Sequence, residues 1–124
     1  MLNEAATGHD AQETRMQSHH RLTLIAACNA CADACDHCAA TCLHEPDLPH
    51  LAHCIAMDMD CAAICRVTAA CLSRQTPFAR ALTAACSLAC EACALACERH
   101  SHEHCQRCAE ACRQCANECH QLAA

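Results

Sequence analysis

Along this chain the inward-facing positions recur in steps of three and four, and the residue that marks most of them is cysteine. Cys28, Cys31, Cys35, Cys38 and Cys42 step 3, 4, 3, 4; Cys86, Cys90, Cys93 and Cys97 step 4, 3, 4; Cys105, Cys108, Cys112, Cys115 and Cys119 step 3, 4, 3, 4. Alternating threes and fours place one residue per turn along a single seam of an α-helix, whereas a strand would need steps of two. A fourth group, Cys54, Cys61, Cys65 and Cys71, is looser. Met57 stands where a seam residue is expected between Cys54 and Cys61, and Ile64 and Thr68 are assigned to the same seam. Four helical segments follow, each with one cysteine-rich stripe.

The intervening residues set the boundaries. His44-Glu45-Pro46-Asp47-Leu48-Pro49 separates the first two groups, with Asp47 as a candidate N-cap and Pro49 in the first turn. Thr76-Pro77 reads as the cap and first position of the third helix, and Ser101 as the cap of the fourth. The expected helices are 18–44, 48–73, 77–100 and 102–122, preceded by residues 1–15 as a mobile segment or a short extra helix. Short loops force antiparallel neighbours. The expected fold is all-α, an antiparallel up-down four-helix bundle over residues 16–124 with a cysteine-lined core.

Composition sharpens this picture. Of 124 residues, 18 are cysteine, while Leu, Ile, Val and Phe together fill 16 positions, about 13% against the ~20% below which an ordinary core becomes doubtful. Alanines flank the seams, among them Ala32, Ala34, Ala39, Ala109, Ala111 and Ala116, and would let helix axes approach closely. A lone cysteine is an ordinary small core residue. Eighteen on four stripes would leave a purely structural core underpacked, so they are expected to hold something. The formal charge of −6 with 8 Lys+Arg argues against phosphate-backbone binding. A single Phe and no Trp or Tyr exclude an aromatic stacking platform for nucleic acid. No apolar run in the sequence approaches the ~20 residues of a membrane span. The first twenty residues lack the apolar stretch of a secretory signal. On this reading the protein stays in the cytoplasm, where thiols are reduced and metal binding is expected over disulfides.

Geometry narrows the ligand. Helix neighbours three or four apart have Cβ atoms about 5–6 Å apart, too far for a disulfide at about 3.5–4.5 Å. A metal bridging two sulfurs at ~2.3 Å each spans about 4.6 Å, within reach of each CxxxC pair. Structural zinc needs four converging ligands per ion, and its double charge on closed sites would leave buried thiolates uncompensated. The cluster-binding run of ferredoxin-like iron–sulfur proteins is absent. Cu(I) is soft, favours thiolates and carries one charge per ion, so one ion per thiolate is neutral. The expected capacity is on the order of 18 ions per chain, which reads as storage. A zinc or general thiol-metal buffer is the alternative; no catalytic constellation is present, so an enzyme is not expected.

The stretches CNACADACDHCAATC and CQRCAEACRQCANEC on such a bundle resemble the bacterial copper storage proteins, and the missing export signal resembles their cytosolic branch. The resemblance covers roughly residues 18–122. It implies a homotetramer with Cu(I) held by cysteines inside each bundle, and it makes all eighteen cysteines ligands here.

In an up-down bundle the first and third loops share one end. His44, His50, His53, His100, His102 and His104, with Met57 and Met59 further in, gather there. Imidazole and thioether are secondary copper ligands, so this end is expected to be the mouth, with His104 and Met57 as added candidate ligands. Asp58 is expected to be solvated or capping. Leu88 and Leu95 fall on the outward face of the third helix and suggest a contact with another copy of the chain.

Overall fold

The computed structural model describes the backbone of residues 8–123 and the side chains of residues 15–122. Four helices account for almost all of it: α1 (Gly8–Cys42), α2 (Leu48–Arg74), α3 (Ala79–Glu98) and α4 (Glu103–Ala123). Each packs on two neighbours, α1 on α2 and α4, and α3 on α2 and α4. This is the antiparallel four-helix bundle that the seam spacing predicts.

α1 begins upstream of its expected start near residue 18. Residues 8–15 continue the same helix and do not form a separate one; residues 1–7 of that expectation lie outside the described residues. At about 1.5 Å per residue, the 35 residues of α1 run past its innermost buried leucine, Leu24, by several turns.

The loops are tight and closed by backbone hydrogen bonds. Beyond α1, the His44 N–H donates to the Thr41 carbonyl at 3.0 Å and that of Glu45 to the Cys42 carbonyl at 3.1 Å. Asp47 occupies the N-cap position of α2 with Pro49 in the first turn, but its side chain makes no capping bond; it is engaged by a histidine instead. α2 ends in a left-handed residue, Gln75 (φ 55°, ψ 47°), whose N–H returns to the carbonyls of Cys71 and Leu72 and satisfies the last turn. α3 starts two residues later than expected. The Thr76 hydroxyl accepts from the Phe78 N–H at 3.3 Å, closing a turn before the helix, so Phe78 rather than Thr76 holds the N-cap position. α4 likewise opens at Glu103, leaving Ser101 in the loop.

The core is sulfur and alanine. Every cysteine is buried, with Ala32, Ala62, Ala94, Ala109 and Ala116 between the stripes, and Leu24 and Leu51 are the largest fully buried side chains. Such small residues bring helices close enough for thiols to meet across the bundle axis: Cys28 of α1 lies 3.8 Å from Cys86 of α3. Leu88 and Leu95 are 70% and 56% exposed, as the outward position predicts. α3 is also long and apolar enough to cross a membrane by length and composition, with a mean hydropathy of 1.4. This departs from the sequence reading because alanine and cysteine score as strongly apolar; the cysteine stripe of α3 faces the bundle interior.

Candidate metal centre

The seams supply one column of sulfur. On α1 the inward positions are Leu24, Cys28, Cys31, Cys35, Cys38 and Cys42; on α3, Thr83, Cys86, Cys90, Cys93 and Cys97; on α4, Cys105, Cys108, Cys112, Cys115 and Cys119. On α2 the seam reads Leu51, Cys54, Asp58, Cys61, Cys65, Thr68 and Leu72, all buried, again in alternating threes and fours.

That register corrects two expectations on α2. Met57 and Ile64 are half-buried and line an outer groove with Ala85, Leu88 and Ala92 of α3; Asp58, fully buried, takes the seam place assigned to Met57. Cys71 sits one residue off the seam position held by Leu72, and its sulfur meets the Arg74 guanidinium at 3.7 Å. Among the described residues no thiol–thiol contact includes it. Sixteen cysteines are linked by sulfur contacts and Cys119 extends them beside Cys115 and Cys86, so seventeen of the eighteen form the column, and all eighteen are free thiols.

The column runs in layers. Near the inner end Cys28 meets Cys86 and Cys115 at 3.8 and 3.7 Å, and Cys65 meets Cys86 at 3.7 Å. In the middle Cys31 contacts Cys61, Cys90 and Cys112 at 3.8, 3.9 and 3.6 Å. Cys35 contacts Cys93, Cys112 and Cys108 at 3.9, 3.8 and 3.6 Å. Three sulfurs about 2.3 Å from one soft ion lie about 4.0 Å apart, and four about 3.8 Å. The column is thus spaced for ions shared by three or four sulfurs, whereas a straight two-sulfur bridge of about 4.6 Å requires it to widen. Four-thiol sets such as Cys31, Cys65, Cys90 and Cys115 have all their sulfurs within 4.8 Å of one another.

Toward the other end Asp58 interrupts the sulfur. Its Oδ1 accepts from the thiols of Cys93, Cys108 and Cys97 at 3.2, 3.2 and 3.4 Å. Burial disfavours its charged form and raises its pKa to about 8. Neighbouring thiols polarise one another: the hydrogen bond with Cys112 lowers Cys31 to about 7, while Cys108 raises Cys93 to about 12.

At the mouth Cys38, Cys42 and Cys105 form a triangle with all three sides 3.9 Å. Desolvation is the main cause raising the pKa values of Cys42 and Cys105. His104 stands over this triangle, its Nδ1 3.6, 3.7 and 3.6 Å from the sulfurs of Cys38, Cys42 and Cys105. Of the six histidines assigned to this end, His104 is the one that reaches thiols among the described residues. His102 turns outward to Asp47, with Nε2 3.1 and 3.2 Å from its two oxygens, and this hydrogen bond lowers the Asp47 pKa. His44, His50 and His53 are exposed. Sequence reasoning missed Asp58 and Glu45. The first could have been found by extending the three–four register through position 58; the second is brought to the site by loop folding that no spacing encodes.

Chemically, the arrangement is a dry channel of soft, polarizable donors with one imidazole at its mouth. Thiolates are the ligands of soft monovalent ions, and each ion bound by a thiol displaces a proton.

Comparison with known proteins agrees with this chemistry. Residues 16–124 match the family model described as copper storage protein. A Cu(I)-bound copper storage protein, BsCsp3, superposes with a TM-score of 0.81 at 41% identity, over 85% of this chain and 99% of that one. A cytosolic copper storage protein from Streptomyces lividans, solved with five coppers, superposes with a TM-score of 0.85 at 45% identity, over 87% of this chain and 95% of that one. An uncharacterized cysteine-rich protein of Bacillus subtilis, YhjQ, is 43% identical over 67 residues, which is 54% of this chain and 62% of that relative.

Proposed function

The chain belongs to the copper storage protein family, and from that premise we propose that it stores Cu(I) on the seventeen thiols of its central column. The observation that carries this reading is the run of sulfur contacts at 3.3–4.0 Å from Cys28 to Cys54 and Cys97, joined from all four helices, with the Cys38–Cys42–Cys105 triangle beyond the Asp58 layer, where Cys38, Asp58, Cys97 and Cys108 hold their ligand atoms within 4.8 Å of one another. The copper-binding unit is residues 16–124. The protein acts as a store rather than a catalyst, in the cytosol, as a homo-oligomer whose contact includes the exposed Leu88 and Leu95; it takes copper, and neither nucleic acid nor membrane, as its partner.

Ions enter past His104, the slightly exposed side chain that covers the buried Cys38–Cys42–Cys105 triangle. They pass the Asp58 layer and fill the deeper thiols. Each step exchanges a thiol proton for a monovalent cation, so the column's net charge does not change as it fills; this is how many ions can share a low-dielectric interior. The four-thiol sets would also accept zinc, but seventeen thiolates satisfy only about four such ions, and each closed site would carry a net double negative charge. Anaerobic titration of the reduced protein, with Cu(I) and Zn(II) in separate experiments against a competing chelator, tests the proposal. Uptake of well over ten Cu(I) with weak zinc binding is expected; saturation near four ions with zinc preferred would overturn it.

A further inference from the structure

The loop residue Glu45 stands behind His104. Its Oε2 lies 2.9 Å from His104 Nε2, and its backbone N–H is tied to the carbonyl of Cys42, whose thiol is one corner of the mouth triangle. A carboxylate can only accept, so the hydrogen of a neutral His104 sits on Nε2. Nδ1 is then left with a lone pair, on the side where the three sulfurs lie nearly equidistant. The ring cannot turn away easily. The His104 side chain is 9% exposed, and the His102 ring stacks on it at a centroid distance of 5.3 Å and an interplanar angle of 9°. His102 is in turn held by Asp47 at 3.1 Å.

We propose that Glu45 is a positioning residue that fixes the Nε2–H tautomer and orientation of His104, presenting Nδ1 as a ready ligand to an ion arriving at the Cys38–Cys42–Cys105 triangle. The proposal rests on the reading of His104 as a mouth ligand. It uses a general feature of metal-bound histidines, whose second nitrogen donates to an acceptor that sets the tautomer and raises ligand basicity, and whose loss typically weakens binding about 10–100-fold. Without Glu45 both tautomers are open, and the one protonated at Nδ1 cannot coordinate through that atom.

The test has two arms. In copper-free protein, at a pH where imidazole is neutral, 15N NMR of His104 is expected to show the Nε2–H tautomer in the wild type, a mixture in Glu45→Ala, and the wild-type tautomer again in Glu45→Gln, whose side-chain carbonyl still accepts. A mixed tautomer in the wild type, or no change in Glu45→Ala, would overturn the proposal. In the second arm Cu(I) is delivered from a chromophoric chelator. Glu45→Ala is expected to slow uptake about tenfold and to add nothing in a His104→Ala background. An effect that persists in that background means Glu45 does not act through His104, and the proposal fails. Uptake by His104→Ala at the wild-type rate overturns the ligand reading instead; the NMR arm, read without copper, keeps the two failures apart.

Discussion

The two ends of the sulfur column are built on the same four seams and finished differently. At the mouth the seams end on Cys42, Cys105, Cys97 and, one position beyond Cys54, the buried Leu51, topped by His104, Glu45, His102 and Asp47, with Asp58 one layer in. At the inner end the seams close on Leu24, Thr68, Leu72 and Thr83, all buried. The hydroxyls of Thr68 and Thr83 are turned back onto the carbonyls of Ile64 and Ala79 in their own helices. A soft cation therefore finds ligands at one end, and at the other a closure of leucine and threonine, where Leu72 and Thr83 border a cavity of about 210 Å³ with Ala79, Arg80 and Leu122. A bundle can thus be given a direction by the identity of a few terminal seam residues, with no change in its backbone.

The largest way to separate the two halves is by pH, because a carboxyl titrates in one and only threonine hydroxyls stand in the other. Unfolded, Asp58 ionises near 4; folded, it does so only at about 8. Between those values the unfolded chain holds fewer protons on this group than the folded one, so the folded state loses stability as pH rises from about 4 to about 8. Copper-free wild type is expected to lose several kcal/mol relative to Asp58→Asn across that window, read by denaturant unfolding at each pH; parallel pH profiles would contradict the burial of Asp58 among thiols.

At the inner end, Leu24→Ala is expected to cost about 2–5 kcal/mol through the cavity it leaves, measured by thermal unfolding, while the rate of Cu(I) uptake stays that of the wild type. Faster uptake would mean that copper can also use this end once it is opened. Next comes a matched pair of triple variants. Replacing Cys38, Cys42 and Cys105 by alanine is expected to slow uptake at least about tenfold. Replacing Cys28, Cys86 and Cys115 is expected to lower the number of ions bound and leave the initial rate unchanged. Equal kinetics in the two variants would erase the distinction between the ends.

The smallest effect concerns Cys71. Cys71→Ser is expected to leave copper capacity unchanged and to cost on the order of 1 kcal/mol of stability, because a hydroxyl replaces the buried thiol. Loss of an ion would show that the register drawn for α2 is wrong.

How the chain could be read follows from the same register. The helices and the sulfur column were legible because a three–four step is periodic, and period is what a helix exposes in sequence. His104 was legible from its place beside Cys105. α2 was misread where cysteine gives way to other residues: with Cys54 and Cys61 seven apart, positions 57 and 58 both satisfy a three–four step, and the apolar Met57 was chosen over the charged Asp58. Continuing to Cys65, Thr68 and Leu72 decides for Asp58 and against Cys71. Thr76 announced a helix start that its own hydroxyl closes off as a turn. Glu45 was beyond reach, because it meets His104 only once two loops far apart in sequence are folded to the same end.

The central claim is met most directly by diffraction from crystals of the protein loaded with Cu(I), with anomalous maps collected at the copper edge. The account predicts well over ten peaks strung along the bundle axis, each about 2.3 Å from two or more seam sulfurs, with none at Cys71. Peaks confined to the surface, or about four isolated tetrahedral sites with the remaining thiols unligated, would contradict it.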